Sequence, residues 1–347
     1  MFRTLSAIVS MSFLLTACSP NTDAPDVSNI NIEVEIIRFE RAFFGMDTTD
    51  IRKSFYSLSQ KHPGFTSLFA EQILGIPPND TGDLTATILK TFLADYRPIM
   101  EMSDAIYRDF TKPAEEIRQG LRYLQHYFPK YEQPKRIYTF IGPLDAYAEG
   151  MTGGYGDVIT ADGLAVGLQL HLGSESPLYT SREGQLMYPM YISRRFTPEY
   201  ISVNCMKNII DDLYPGLDNY RTFLDHMVDR GKRMYLLDKL LPFTADTLKF
   251  GYTSTQLKGS EDNEGLIWQH LTENNVIYET DPLKFKTYMS DGPKTIELGD
   301  GSPGFISLFV GRQIIRTYME RNPKTTLPDL MNMDARSILS GSKYKPR

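Results

Sequence analysis

Cysteine, tryptophan and histidine are all scarce in this chain: 347 residues hold two, one and five of them. The histidines are His62, His126, His171, His226 and His270, and no two are four residues apart. No H-x-x-x-H pair can therefore place two imidazoles on one helical face for zinc. No G-x-S-x-G elbow, phosphate loop, dinucleotide fingerprint or C-x-x-C occurs, which removes the local signatures of several hydrolase, nucleotide-binding and redox classes. Nor is there a basic surplus: 37 Lys and Arg stand against 43 Asp and Glu, a net charge of -6. Without a basic run, the electrostatic footprint of a nucleic-acid binder is missing. No window reaches the roughly eighteen consecutive apolar residues of a membrane-spanning helix.

What is present is the composition of a globular domain, 41% hydrophobic and 12% aromatic. The N-terminus is distinct. Arg3 precedes an apolar stretch from Leu5 to Leu15, followed by Thr16, Ala17 and Cys18. Such a segment is too short for a bilayer that needs about twenty residues, and its layout is that of a signal peptide over 1–17. Leu15-Thr16-Ala17-Cys18 resembles a bacterial lipobox, which implies that Cys18 is acylated, with palmitate-type chains, and becomes the mature N-terminus. Several acyl chains give a stable anchor where one is marginal. Cys205 is then left without an intramolecular partner, so no disulfide is expected. Residues 18–29 are polar and rich in Pro, Asp, Asn and Ser, and read as a tether. Ser19 is not the aspartate associated with inner-membrane retention, which favours the periplasmic face of the outer membrane.

Residues 30–347 read as one domain. Residues 30–36 alternate strictly between apolar and polar and predict a half-buried first strand. Helical spacing follows at Ile51, Phe55 and Leu58, at Leu84, Ile88, Phe92 and Tyr96, and most clearly from Pro113 to Phe128. The middle reads as a small sheet: 136–142, then 157–160 after a glycine turn at 153–156, then 164–172. Helices return over 199–212, 217–241, 264–274, 282–289, 303–321 and 327–331. The expected class is α+β, helix-rich, with a small sheet between two helical groups.

Few residues stand out chemically. His126 belongs to an amphipathic helix, and acidic pairs such as Asp211-Asp212 and Glu115-Glu116 read as solvated helix positions. Asp47-Thr48-Thr49 and Asp246-Thr247-Leu248 resemble a short O-glycosylation acceptor, a pattern brief enough to arise by chance. Trp268 reads as core, and Pro303, Gly304 and Gly311 as features of helix entry and close packing.

The last third is distinctive: 263–268 (NEGLIW), 276–281 (VIYETD), 291–295 (DGPKT), 302–305 (SPGF), 311–320 (GRQIIRTYME) and 342–346 (SKYKP). With the lipobox and 37–40 (IRFE), these motifs identify the chain as resembling the gliding motility lipoprotein GldB family of Bacteroidetes. That family is similar in turn to predicted zinc-dependent proteases with an H-E-x-x-H helix, where two histidines bind zinc and the glutamate activates water. At the matching positions stand Asn204, Cys205 and Asn208. A carboxamide is a poor zinc ligand, a thiol cannot replace the carboxylate, and Lys207 adds positive charge. Glu264, on a later helix, is where a further ligand would come from. Its alternative is a first-turn acidic residue beside an Asn263 cap.

The resemblance thus implies a zincin-like scaffold that is not an enzyme, with no zinc or other cofactor. It would be lipid-anchored and act in gliding motility, and in the associated type IX secretion machinery, through contacts with other envelope proteins. A second expectation is an atypical metal-dependent hydrolase built on Cys205, Glu264 and a histidine from elsewhere. A third is a glycan-binding module that carries its 21 tyrosines in surface patches.

Overall fold

The computed structural model describes residues 24–78, 80, 83–145, 148–150, 153–217 and 221–346, so the expected signal peptide and Cys18 lie outside the described residues. Among the described residues, six short strands are formed: β1 (Glu35–Arg38), β2 (Arg136–Phe140), β3 (Ala148–Gly150), β4 (Gly153–Tyr155), β5 (Val158–Thr160) and β6 (Gly163–Gly167). Four make a mixed sheet in the order β1-β2-β6-β5, and β3 and β4 form a separate antiparallel hairpin. Strands β1, β2 and β6 run parallel, with Glu35 opposite Arg136 and Arg136 opposite Gly163. Strand β5 returns antiparallel, Val158 facing Ala165. Ile137–Phe140 and all of β6 are buried, the unbroken burial expected of strands covered on both faces.

The first strand is displaced from its expected place. Residues 30–34 alternate but have no ladder, because the partner β2 begins only at Arg136, and pairing starts at Glu35. Residues 24–29, expected as a free tether, pack on the domain. Val27 is buried, and Ala24, Pro25, Asp26 and Ser28 face Gln119, Arg122 and Tyr123 across a cavity. The glycine segment is also more regular than a turn, since Gly153–Tyr155 pairs with Ala148–Gly150.

Helices supply most of the remaining structure. Helix Phe39–Phe44 leaves β1 directly and seats Phe39 and Phe43 in an aromatic cluster with Phe65 and Phe69. Phe65 stacks on Tyr138 of β2, ring centroids 4.4 Å apart, so helix and sheet share one core. Helix Thr111–Tyr127 buries Ile117, Leu121 and Leu124, the face its periodicity marks. It lies against helix Tyr200–Leu213 at Gly120, where a Cβ would come within 2.7 Å of Met206 Sδ.

Two long helices, Phe223–Leu240 and Ile306–Arg321, form the C-terminal core. The first starts later than residue 217 because a capping box, Thr222 with Asp225, closes its N-terminus. The second starts at Ile306 because Phe305 takes a left-handed conformation, φ 52°. They cross at glycines: a Cβ on Gly231 would sit 2.2 Å from the carbonyl carbon of Gly311. Arg312 then pairs with Asp238 at 2.7 Å and with Asp246, and Lys249 closes the group on Asp238 at 3.0 Å. Helix Ser254–Asp262 was not expected, having little apolar periodicity. Its start is set by a second capping box, Thr253 with Gln256.

Candidate functional site

Asn204, Cys205 and Asn208 sit on helix Tyr200–Leu213, whose first eleven residues are all buried. Asn204 and Asn208 are four apart and share a face. That face meets Asp157, which lies just before β5 and is 2% exposed. The Asn204 side-chain amide donates to Asp157 Oδ2 at 3.0 Å, and that of Asn208 donates to the Asp157 carbonyl at 3.1 Å. The Gly167 amide at the end of β6 donates to Asp157 Oδ1 at 2.9 Å.

His171 completes the group. Its Nε2 lies 3.1 and 3.0 Å from the two Asp157 carboxylate oxygens, and its Nδ1 lies 3.2 Å from the Thr197 carbonyl. A nitrogen facing a carbonyl must carry its hydrogen, so Nδ1 is the donor there. Nε2 faces both carboxylate oxygens, so the ring bridges Asp157 and the Thr197 carbonyl. Tyr107 donates to the His171 carbonyl at 2.6 Å, fixing the loop that carries the ring. Burial and Asp157 push the Tyr107 hydroxyl pKa far upward, so it stays protonated as a donor.

Cys205 is fully buried beside this group. Burial first, and the Asp157 charge second, push its thiol pKa well above the ordinary value. A thiol held protonated is neither a nucleophile nor a ready metal ligand. The donor set does not fit zinc. Each Asp157 oxygen already accepts two hydrogen bonds, and the amides of Asn204 and Asn208 present N–H groups inward, where a metal ligand needs lone pairs. Among the described residues, no cluster of three or more His, Cys, Asp or Glu is placed to hold a metal.

Glu264 belongs to a different group. Its carboxylate accepts from Tyr344 at 2.7 Å and Gln313 at 2.9 Å, tying helix Glu264–Glu273 to the C-terminal segment. The joint site with Cys205 that an atypical hydrolase requires is therefore not assembled. Asn263 takes the N-cap position and Glu264 is the acidic residue of the first turn, as expected, but Asn263 does not cap through its side chain. Its side chain donates back to the Gly259 carbonyl at 2.8 Å and makes no cap bond to the helix that follows. Trp268 is partly buried, edge-on to Tyr344 with centroids 5.1 Å apart. Tyr107, Tyr138, Tyr179 and Tyr252 are core residues. Among the described residues, only Tyr56 and Tyr278 stand with the exposed large side chains, which removes the tyrosine-patched glycan face.

Lys207 points into another buried cluster, with Arg195, Asp291 and Asp211 as its charged neighbours. Burial, then the Arg195 charge, lower its pKa to about 7. Arg195 is paired with Asp291, which opens the 291–295 motif. Thr295 Oγ1 donates to the Pro303 carbonyl at 2.7 Å, and Phe305 N to the Ser290 carbonyl at 2.9 Å. A Cβ on Gly304 would come 2.5 Å from the Gly292 carbonyl oxygen. These two motifs thus lock one to the other. Of the two glycosylation-like stretches, Thr48 is exposed beside an Asp47 that accepts from Thr49, whereas Asp246 is consumed by Arg312 and Lys249.

A family model, gliding motility protein GldB, matches the sequence over residues 20–346, a span that includes the 291–295 and 302–305 motifs. The chain belongs to the GldB family. No curated protein and no solved structure matches this GldB-family chain significantly. Sequence reasoning passed over Asp157 and His171, the centre of the buried group in this GldB-family fold. Their local trace is slight: Asp157 directly precedes the apolar pair Val158-Ile159, and His171 stands between Leu170 and Leu172.

Proposed function

We propose that this protein is a lipid-anchored, non-enzymatic component of the cell envelope that supports gliding motility through contacts with other proteins. The family assignment carries the motility role. Acylation of Cys18 carries the anchoring, and the outer membrane's periplasmic face and the type IX secretion machinery are the setting that reading favours. A peptidase-like scaffold whose chemistry is lost accords with the sealed Asp157 group. There the asparagines standing at the metal-binding positions act as hydrogen-bond donors to Asp157, Asn204 to its carboxylate and Asn208 to its backbone carbonyl.

Paired replacements in cells test this. Cys18→Ser should release the protein from the membrane fraction and abolish gliding. Cys205→Ala, if the protein accumulates normally, should leave gliding intact. Loss of gliding in a stable, membrane-bound Cys205→Ala protein would show that chemistry at this position is required and would overturn the non-enzymatic reading.

A further inference from the structure

The described chain enters the domain at a place that orients it. Residues 19–23 are all that separate Cys18 from Ala24. An extended chain advances at most about 3.6 Å per residue, so an acylated Cys18 lies within roughly 20 Å of Ala24. Ala24 is not at the end of a free tether. It begins a segment fixed to the domain by the buried Val27, with Asp26 capping the turn through the Ser28 amide at 2.9 Å.

Phe243 stands beside that entry point. It lines a cavity of about 510 Å³ together with residues 24–28, Gln119, Arg122 and Tyr123. It also lines the neighbouring cavity of about 330 Å³ with Leu241 and Pro242. At 62% exposure it is, among the described residues, the one phenylalanine with the exposed large apolar side chains. It occupies the loop after helix Phe223–Leu240, whose eighteen residues span about 27 Å. The far end of that helix is marked by Phe223, packed on Phe285 at 5.6 Å between centroids. Helix Pro282–Met289 there carries Leu283, 81% exposed.

We infer that the face bearing Ala24 and Phe243 lies on the bilayer, with the Phe243 ring entering its interfacial layer, while the Leu283 end points away. The inference rests on the anchoring reading above and adds an orientation to it. The occupant is a lipid surface because an acylated Cys18 holds the bilayer within that range of this face, and an exposed aromatic ring is suited to the headgroup boundary. Charge plays no leading part. Asp26, Glu116 and Glu199 outnumber Arg122 around the two cavities, so the face offers no basic patch for anionic lipid and neutral lipid suffices.

The full-length acylated protein can be tested with an environment-sensitive fluorophore on Phe243→Cys and, separately, on Leu283→Cys. Cys205 is buried and Cys18 is consumed by acylation, so only the introduced thiol reacts. In phosphatidylcholine vesicles, the label at 243 should brighten severalfold, shift to the blue and be quenched by lipid-borne quenchers, while that at 283 stays as in water. Equal, water-like signals at both positions, with acylation verified by intact mass, would overturn the orientation and leave the anchoring reading standing. A mass showing no acyl chain on Cys18 would overturn both. A response at 243 that requires anionic lipid would overturn the apolar basis of the contact.

Discussion

Two interior regions of this protein solve the problem of close approach in opposite ways. Around Asp157, four elements meet through hydrogen bonds to one carboxylate residue: the start of β5, the end of β6, the His171 loop and helix Tyr200–Leu213. At Gly231 and Gly311, two long helices meet by removing side chains altogether. The first region depends on every donor finding its acceptor, because an unpaired polar group in a low-dielectric interior is costly. The second depends only on volume, because backbone atoms in contact leave no space for a Cβ to relax into. Asn204, Cys205 and Asn208, which suggested chemistry, are in the first region, and the 311–320 motif supplies one of the two glycines of the second. Neither is an open cleft.

Breaking the polar region should have the larger effect. Asp157→Ala leaves His171 Nε2, the Asn204 amide and the Gly167 N–H without their acceptor, and should cost about 3–5 kcal/mol by analogy with removing one partner of a buried charged pair. Urea unfolding reads this, and a loss under 1 kcal/mol would show that the group is not the support its geometry indicates. Next comes Gly231→Val, which forces a branched side chain against the Gly311 backbone. Overpacking of this kind costs about 1–3 kcal/mol, and thermal unfolding should show it, with Gly231→Ala losing less.

Lys207 offers a test by pH. Its folded pKa of about 7 lies below the ordinary lysine value of 10.5. Between these values the unfolded chain binds a proton that the folded chain does not. Stability should therefore rise with pH from about 7 to roughly 8.5, above which cysteine ionisation in the unfolded chain opposes it. Below pH 7 this contribution is level, since both states are protonated. In Lys207→Met the rise should flatten, and an unchanged slope would assign it to other groups. The smallest effect is expected at Cys205. Cys205→Ser places a hydroxyl in an apolar setting and should cost about 1–2 kcal/mol, with metal analysis of either form returning no stoichiometric zinc.

The sequence made some of this legible. Helix Thr111–Tyr127 could be read because Ile117, Leu121 and Leu124 recur at helical spacing, a signal carried by the chain itself. Gly311 could be read as a packing residue, although its partner Gly231 could not, because nothing local distinguishes a glycine that meets another eighty residues away. Asn204 and Asn208 were recognisable as a pair on one face. What they face was not, since Asp157 lies 47 residues from Asn204. The strand expected at 30–36 failed for the same reason: alternation marks a strand only where a neighbour continues to pair with it.

By itself the sequence determined the leader and its acylation signal as an expectation, the helix-rich α+β class, the family, and the lack of any histidine pair for a zinc helix. These follow from residue identity and short-range periodicity, which need no knowledge of distant partners. Only the tertiary structure decided that the amides at 204 and 208 donate to the carboxylate and the carbonyl of Asp157, that Glu264 is held by Tyr344 and Gln313, and that Phe243 stands beside the chain's entry at Ala24. Each of those depends on which segments the sheet and the helix crossing bring together. A side chain's role inside a protein is set by the donor, acceptor or surface that packing places against it.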